Sequence, residues 1–119
     1  MILGGDDVDK VKKDTLLDGL IQELRRGTIV LSVMSQLNKP QYGYSLVVCL
    51  KEKGIEVDSG TLYPLLRRLE SQGLLESSWD VESSKPRKYY QLNKCGEEVY
   101  DKLRHHWYKM TEKMNELLE

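Results

Sequence analysis

The side chains best suited to chemistry in this 119-residue chain are cations and hydroxyls, and they fall into two short blocks. The first block, Ser59-Gly60-Thr61-Leu62-Tyr63-Pro64-Leu65-Leu66-Arg67-Arg68, sets two arginines behind a glycine and three hydroxyl groups. An arginine can grip phosphate, or the O6 and N7 of guanine, through two parallel hydrogen bonds; a glycine beside a helix N-terminus lets unpaired backbone amides approach an anion. The second block carries Lys85, Arg87 and Lys88, and with Lys94 it makes four bases and no acid between positions 83 and 96. A local positive stretch of this kind suits sequence-independent contact with phosphates. The chemistry on offer is binding of a polyanion, not turnover.

No other constellation competes with these blocks. Cys49 and Cys95 lie in separate helical stretches with no CxxC spacing, and no His-x-x-x-His pair is present, so both cysteines read as reduced packing residues and neither a metal nor a cofactor is expected. His105 and His106 diverge by about 100° on a helix and cannot face one ion. Phosphate-cradling glycine loops, hydrolase elbows and paired carboxylates are all missing, which argues against an enzyme. The formal net charge is only −1, and the first 24 residues hold six acids against three lysines, so the positive charge is local. The aliphatic run Ile29-Val30-Leu31, which none in the chain exceeds, is far short of the roughly 20 residues of a membrane span. Positions 1–9 carry three aspartates and no base, unlike a secretory signal, so a cytoplasmic protein without membrane attachment is expected.

The elements that must position the two blocks follow from spacing. With 39% hydrophobic and 31% charged residues, the chain supports one compact domain with an arm or two. Residues 1–15 read as an N-terminal arm, flexible or weakly helical, that gives way to a helix over 16–37. Leu17, Leu20, Ile21, Leu24, Leu31, Met34 and Leu37 recur there at helical spacing, with Gly27 weakening the middle. Asn38-Lys39-Pro40 ends it. A second helix over 42–53 buries Gly43, Leu46, Val47 and Leu50 and stops at Gly54. Asp58, Ser59 and Thr61 offer caps to a third helix over 59–72, with Pro64 placed in its first turn and Gly73 closing it. Residues 74–81 and 88–92 read as the strands of a hairpin whose tip is 82–86. Asn93 caps a last helix that runs to the end, where Tyr100, Leu103, Trp107, Met110, Met114 and Leu117 are spaced 3, 4, 3, 4 and 3 in a heptad pattern that favours a partner helix.

Three helices, a hairpin and a terminal helix make a mainly α fold with a two-stranded β wing, a winged helix-turn-helix over 16–92, followed by a dimerisation helix over 93–119. At 100° per residue, Leu62, Leu65, Leu66 and Leu69 share one arc of the third helix, while Gly60, Pro64, Arg67 and Ser71 lie opposite, with Arg68 on the flank. One face packs and the other is free to read a duplex.

The segments Tyr42-Gly43-Tyr44, Gly60-Thr61-Leu62-Tyr63-Pro64-Leu65-Leu66-Arg67-Arg68-Leu69-Glu70, Gly73-Leu74-Leu75 and Arg87-Lys88-Tyr89-Tyr90-Gln91-Leu92, with Gly96, resemble the PadR family of bacterial transcriptional regulators, in its smaller subfamily with a single C-terminal helix. The resemblance covers roughly residues 25–100. It implies a homodimeric winged-helix repressor of double-stranded DNA whose last helix dimerises. Carried over by position, Tyr42, Ser59, Thr61, Tyr63 and Arg67 would touch DNA from the helix-turn-helix, joined by Arg68, and Lys85, Arg87 and Lys88 from the wing. Some members bind aromatic effectors near the dimer interface, so the resemblance also implies a small-effector surface at Trp107 and Met110, with Met114; burial in a helix seam explains the same stripe. Asn93 stands where the family usually has threonine, and Ser83-Ser84 where glycine is frequent. A winged-helix adaptor that binds protein instead of DNA is the rival reading, favoured by the net charge of −1.

Overall fold

The computed structural model describes residues 5–82 and 84–119; positions 1–4 of the expected arm and Ser83 of the hairpin tip lie outside them. The order is α1 (Gly5–Arg26), α2 (Ile29–Ser35), β1 (Gln41–Tyr42), α3 (Gly43–Glu52), α4 (Ser59–Ser71), β2 (Leu75–Asp80), β3 (Arg87–Leu92) and α5 (Lys94–Leu118). This is the winged helix-turn-helix with its terminal helix, and the mainly helical fold class is as expected.

The core lies between α2, α3, α4 and the sheet. Val33, Met34 and Leu37 meet Leu46 and Leu50, the four leucines of α4, and Leu75, Tyr90 and Leu92 from the strands. Both predicted glycine stops hold. Gly54 and Gly73 have φ of 85° and 81°, a region that costs glycine little. At the end of α4 the Leu74 amide donates to the Leu69 carbonyl and the Gly73 amide to that of Glu70, which is the paired closure of a Schellman stop. Asn93 caps α5 as expected, accepting the Gly96 amide at 2.8 Å.

Four features depart from the sequence reading. The single helix expected over 16–37 is two: the chain turns at Gly27-Thr28, where the Thr28 amide and hydroxyl both bond the Arg25 carbonyl. The first of these helices already starts at Gly5, with Asp6 and Asp7 in its first turn where the macrodipole favours acids. The sheet has three strands in the order β1-β3-β2, since Gln41 and Tyr42 pair with Tyr90 and Tyr89 of β3. Pro64 lies inside α4, in its second turn rather than its first, and so deprives the Gly60 carbonyl of its usual helical donor.

Candidate nucleic-acid interface

Helix α4 sorts its residues as the 100° arithmetic requires. Leu62, Leu65, Leu66 and Leu69 are buried, while Ser59, Gly60, Thr61, Tyr63, Pro64, Arg67, Arg68 and Ser71 are exposed. Among the described residues neither Arg67 nor Arg68 enters an ion pair. The polar ridge therefore stands in solvent on a rigid leucine backing. Its N-terminal end is less open to anions than the sequence suggested: Asp58 Oδ1 accepts the Thr61 amide at 2.7 Å, so one of the helix's unpaired donors is taken by a carboxylate.

The second helix of the pair is held against this ridge at its first residue. Gly43 is buried at the start of α3, and a β-carbon there would come within 2.3 Å of the Tyr63 ring, so the tyrosine lies flush on the glycine backbone. The Ser45 hydroxyl accepts the Tyr42 amide at 3.1 Å and bonds the side chain of buried Gln41, fixing the entry to α3. Tyr42 is half-buried and meets the wing: its ring packs edge-on to Tyr89 at 5.4 Å between centroids, and the Arg87 guanidinium lies 4.5 Å over it. Tyr42, Tyr63 and Arg87 are thus brought to one side of the domain through contacts that join α3, α4 and β3.

The three wing cations are not equivalent. Lys85 is exposed near the tip, and Arg87 lies on Tyr42 with its residue exposed. Lys88 shares the other face of β3 with buried Tyr90 and Leu92, and its Nζ donates to Glu70 Oε1 of α4 at 3.0 Å. The Ser77 hydroxyl of β2 donates to Glu70 Oε2. These bonds hold the Glu70 carboxyl below its usual range, the Ser77 hydroxyl first and the Lys88 ammonium second, and the Glu70 bond raises Lys88. Glu70, Ser77 and Tyr89 were not singled out from sequence; the alternation of Lys88 with Tyr90 and Leu92 was the available signal for the inward lysine.

On α5 the heptad stripe divides. Tyr100 and Leu103 pack against the domain's own core, whereas Trp107, Met110, Met114 and Leu117 are exposed. Trp107, Met110 and Met114 of α5 line a groove of about 450 Å³ together with Leu24, Val30 and Leu31 of α1 and α2, and Arg25 and His106 also line it. Leu17, Leu20 and Leu24 of α1, read from their spacing as sharing one helical face, are exposed as well, Leu24 by 77%. Cys49 is partly buried, Cys95 exposed, and no group of three or more metal-binding side chains occurs among the described residues. None of the described helices is long and apolar enough to cross a membrane.

Comparison with known proteins places this geometry. Residues 30–102 match the model of the transcriptional regulator PadR-like family. A transcriptional regulator of Mycobacterium tuberculosis is 32% identical over 77 residues, covering 64% of this chain and 72% of that protein. A PadR family regulator from Eggerthella lenta has a crystal structure similar to this one at a TM-score of 0.88, with 47% identity over 92% of this chain and 97% of the other. A PadR-like transcription factor from Bacteroides fragilis aligns at 0.68, with 37% identity over 83% of this chain and 98% of the other.

Proposed function

The chain belongs to the PadR-like family of transcriptional regulators, and from that premise we propose that it binds an inverted-repeat DNA operator as a cytoplasmic homodimer and represses transcription there. The observation that carries this reading is the exposed ridge of α4, from Ser59 to Arg67, backed by four buried leucines and flanked by the Tyr42–Arg87 contact. Such a helix reads base edges in the major groove while the wing meets the backbone. Ser59, Thr61, Tyr63, Arg67 and Arg68 contact the duplex from α4, Tyr42 from β1 immediately before α3, and Lys85 and Arg87 from the wing.

Two protomers join through the exposed part of α5, from Trp107 to Leu117, where the groove shared with Leu24 and Val30 gives the partner helix an apolar bed. The same Trp107 and Met110 wall is large enough for a small aromatic effector, since about 450 Å³ lies within the ordinary range of ligand sites. Binding such a molecule there alters the seam and with it the spacing of the two α4 ridges. The activity is binding without turnover.

The test is selection of duplexes from a random-sequence library, followed by titration of the selected duplex at increasing salt. A dimer that neutralises about six to ten phosphates loses roughly 10³ to 10⁵ in affinity between 50 and 200 mM salt. If no duplex is enriched and no mobility shift appears at 50 mM salt, the adaptor reading replaces this one.

A further inference from the structure

One carboxylate holds both strands of the wing to the last turn of α4 through different oxygens, and that arrangement has no counterpart elsewhere among the described ion pairs. Glu70 Oε1 takes the ammonium of Lys88 in β3, and Oε2 takes the hydroxyl of Ser77 in β2. The other ion pairs among the described residues, Arg104 with Asp101 and Lys113 with Glu116, like the contact of His105 with Asp101, are formed between neighbouring turns of α5. The Glu70–Lys88 pair instead spans 18 positions and joins two elements that both have to meet the same duplex.

We propose that Glu70, Ser77 and Lys88 form a clasp that sets the angle of the wing against α4, and that Lys88 is a positioning residue and not a phosphate contact. This rests on the DNA-binding reading above. Three observations support it. Lys88 is on the face of β3 that carries buried Tyr90 and Leu92, opposite the face of Arg87 and Tyr89. Its ammonium also lies 5.1 Å over the Tyr90 ring, so two partners hold the charge to this face of the strand, where the side chain is 30% exposed. Finally, a Lys88 that left for a phosphate would strip Glu70 of its counter-charge and leave a bare carboxylate beside the polyanion, three positions from Arg67. On the opposite face Arg87 and Tyr89 fix β3 to Tyr42. The wing is therefore held on both faces at the turn-proximal end of β3, where Asp80 pairs with Arg87 and Trp79 with Lys88, and the two-sided hold transmits the placement of α4 to the hairpin tip.

The experiment uses the full-length protein and the duplex that it selects from a random library; a failure to select any duplex tells against DNA binding itself, before the clasp is at issue. Lys88→Met, Glu70→Gln and the charge-reversed pair Glu70→Lys with Lys88→Glu are titrated against the selected duplex and a scrambled one across a salt series, with hydroxyl-radical footprints of each complex. The clasp predicts that Lys88→Met and Glu70→Gln each reduce the ratio of selected to scrambled affinity by about tenfold, blur the footprint under the wing, and leave the salt slope within half a unit of the parent. It predicts that the reversed pair regains most of the ratio. A phosphate contact predicts otherwise: Lys88→Met would lower the slope by nearly two for a dimer, at about 0.9 per contact, and weaken both duplexes equally. That result overturns the proposal, as does a Glu70→Gln protein that discriminates as well as the parent. Should a single variant melt below the assay temperature, the reversed pair decides: recovery of the ratio supports the clasp, and a folded pair without recovery rejects it.

Discussion

Arg67 leaves the outer side of α4 with no acidic partner among the described residues, so its guanidinium is available in full to a base edge or a phosphate. These two roles separate cleanly. If Arg67 reads guanine, Arg67→Ala costs about 1–3 kcal/mol against the selected duplex and little against a scrambled one; equal losses on both in a binding titration would remove Arg67 from that role. Gly43 gives a second residue-scale test, because its Cβ would collide with the Tyr63 ring at 2.3 Å. The ring is the far end of a side chain that is 41% exposed and can swing aside, so Gly43→Ala costs little in urea denaturation but unseats Tyr63 from α3 and should weaken binding of the selected duplex; unchanged affinity would remove that seat from the interface. Both residues were legible in sequence, Arg67 from the phase of the leucines and Gly43 from its place in the apolar stripe. What Gly43 touches was not legible, since the contact joins residues 20 positions apart on different helices. Lys88 shows the opposite failure: its alternation with Tyr90 and Leu92 was visible, but grouping it by charge with Lys85 and Arg87 hid the fact that period-two geometry turns it inward.

The joints between elements rest on a few polar side chains, and these set how far local signals reach. Asn93 accepts the Gly96 amide through Oδ1 and donates to the Gly73 carbonyl through Nδ2, each at 2.8 Å, so it caps α5 and ties it to the end of α4. Asn93→Ala loses both bonds and should cost about 1–2 kcal/mol in chemical denaturation. Asn93→Thr keeps a capping oxygen but no amide donor, and should recover roughly half; identical losses for the two substitutions would show that the cap contributes nothing. The clasp adds a pH dependence whose sign follows from its two shifts. Glu70 is lowered from 4.5, so its contribution is complete above that value and fades as acid protonates the folded carboxyl. Lys88 is raised from 10.5, so its share is complete below that value and fades as alkali removes the folded proton. The melting-temperature gap between the parent and Glu70→Gln should therefore be constant from about pH 6 to 9 and narrow progressively as the pH falls below 4.5; a gap that does not narrow at all in acid would exclude the ion pair as its source. Stops and caps such as Gly54, Gly73 and Asn93 were legible because they depend on φ preferences and side-chain reach within a turn. The β1 strand was not, because two residues become a strand only by pairing with distant β3, and the break at Gly27-Thr28 was read as a weak point in one continuous helix.

As a whole, the molecule is too extended for its length. Its radius of gyration is 18.8 Å, against about 13–14 Å for a compact chain of this size, and its extents are 60 × 41 × 23 Å. The excess comes with helices of 22 and 25 residues at the two ends of the chain, both bearing exposed apolar side chains. Apolar side chains so exposed on both helices are costly in water, at about 25 cal/mol per Å² of apolar surface, and in the proposed dimer a second copy would remove that cost where Trp107, Met110 and Met114 line a groove with Leu24. Met110 is 62% exposed in the single chain, so Met110→Asp should fold normally as a monomer and yet place an unpaired carboxylate in the assembled seam, where it is strongly destabilising. Sedimentation should then report monomers at concentrations where the parent is dimeric. DNA supplies the second readout: a two-fold dimer sets its α4 ridges about one helical turn apart, roughly 34–36 Å, so the variant should lose affinity for the full inverted repeat while binding an isolated half-site as the parent does. A variant that still sediments as a dimer would move the interface off α5, and one that is monomeric yet binds the full repeat unimpaired would show that the seam does not set the spacing of the ridges.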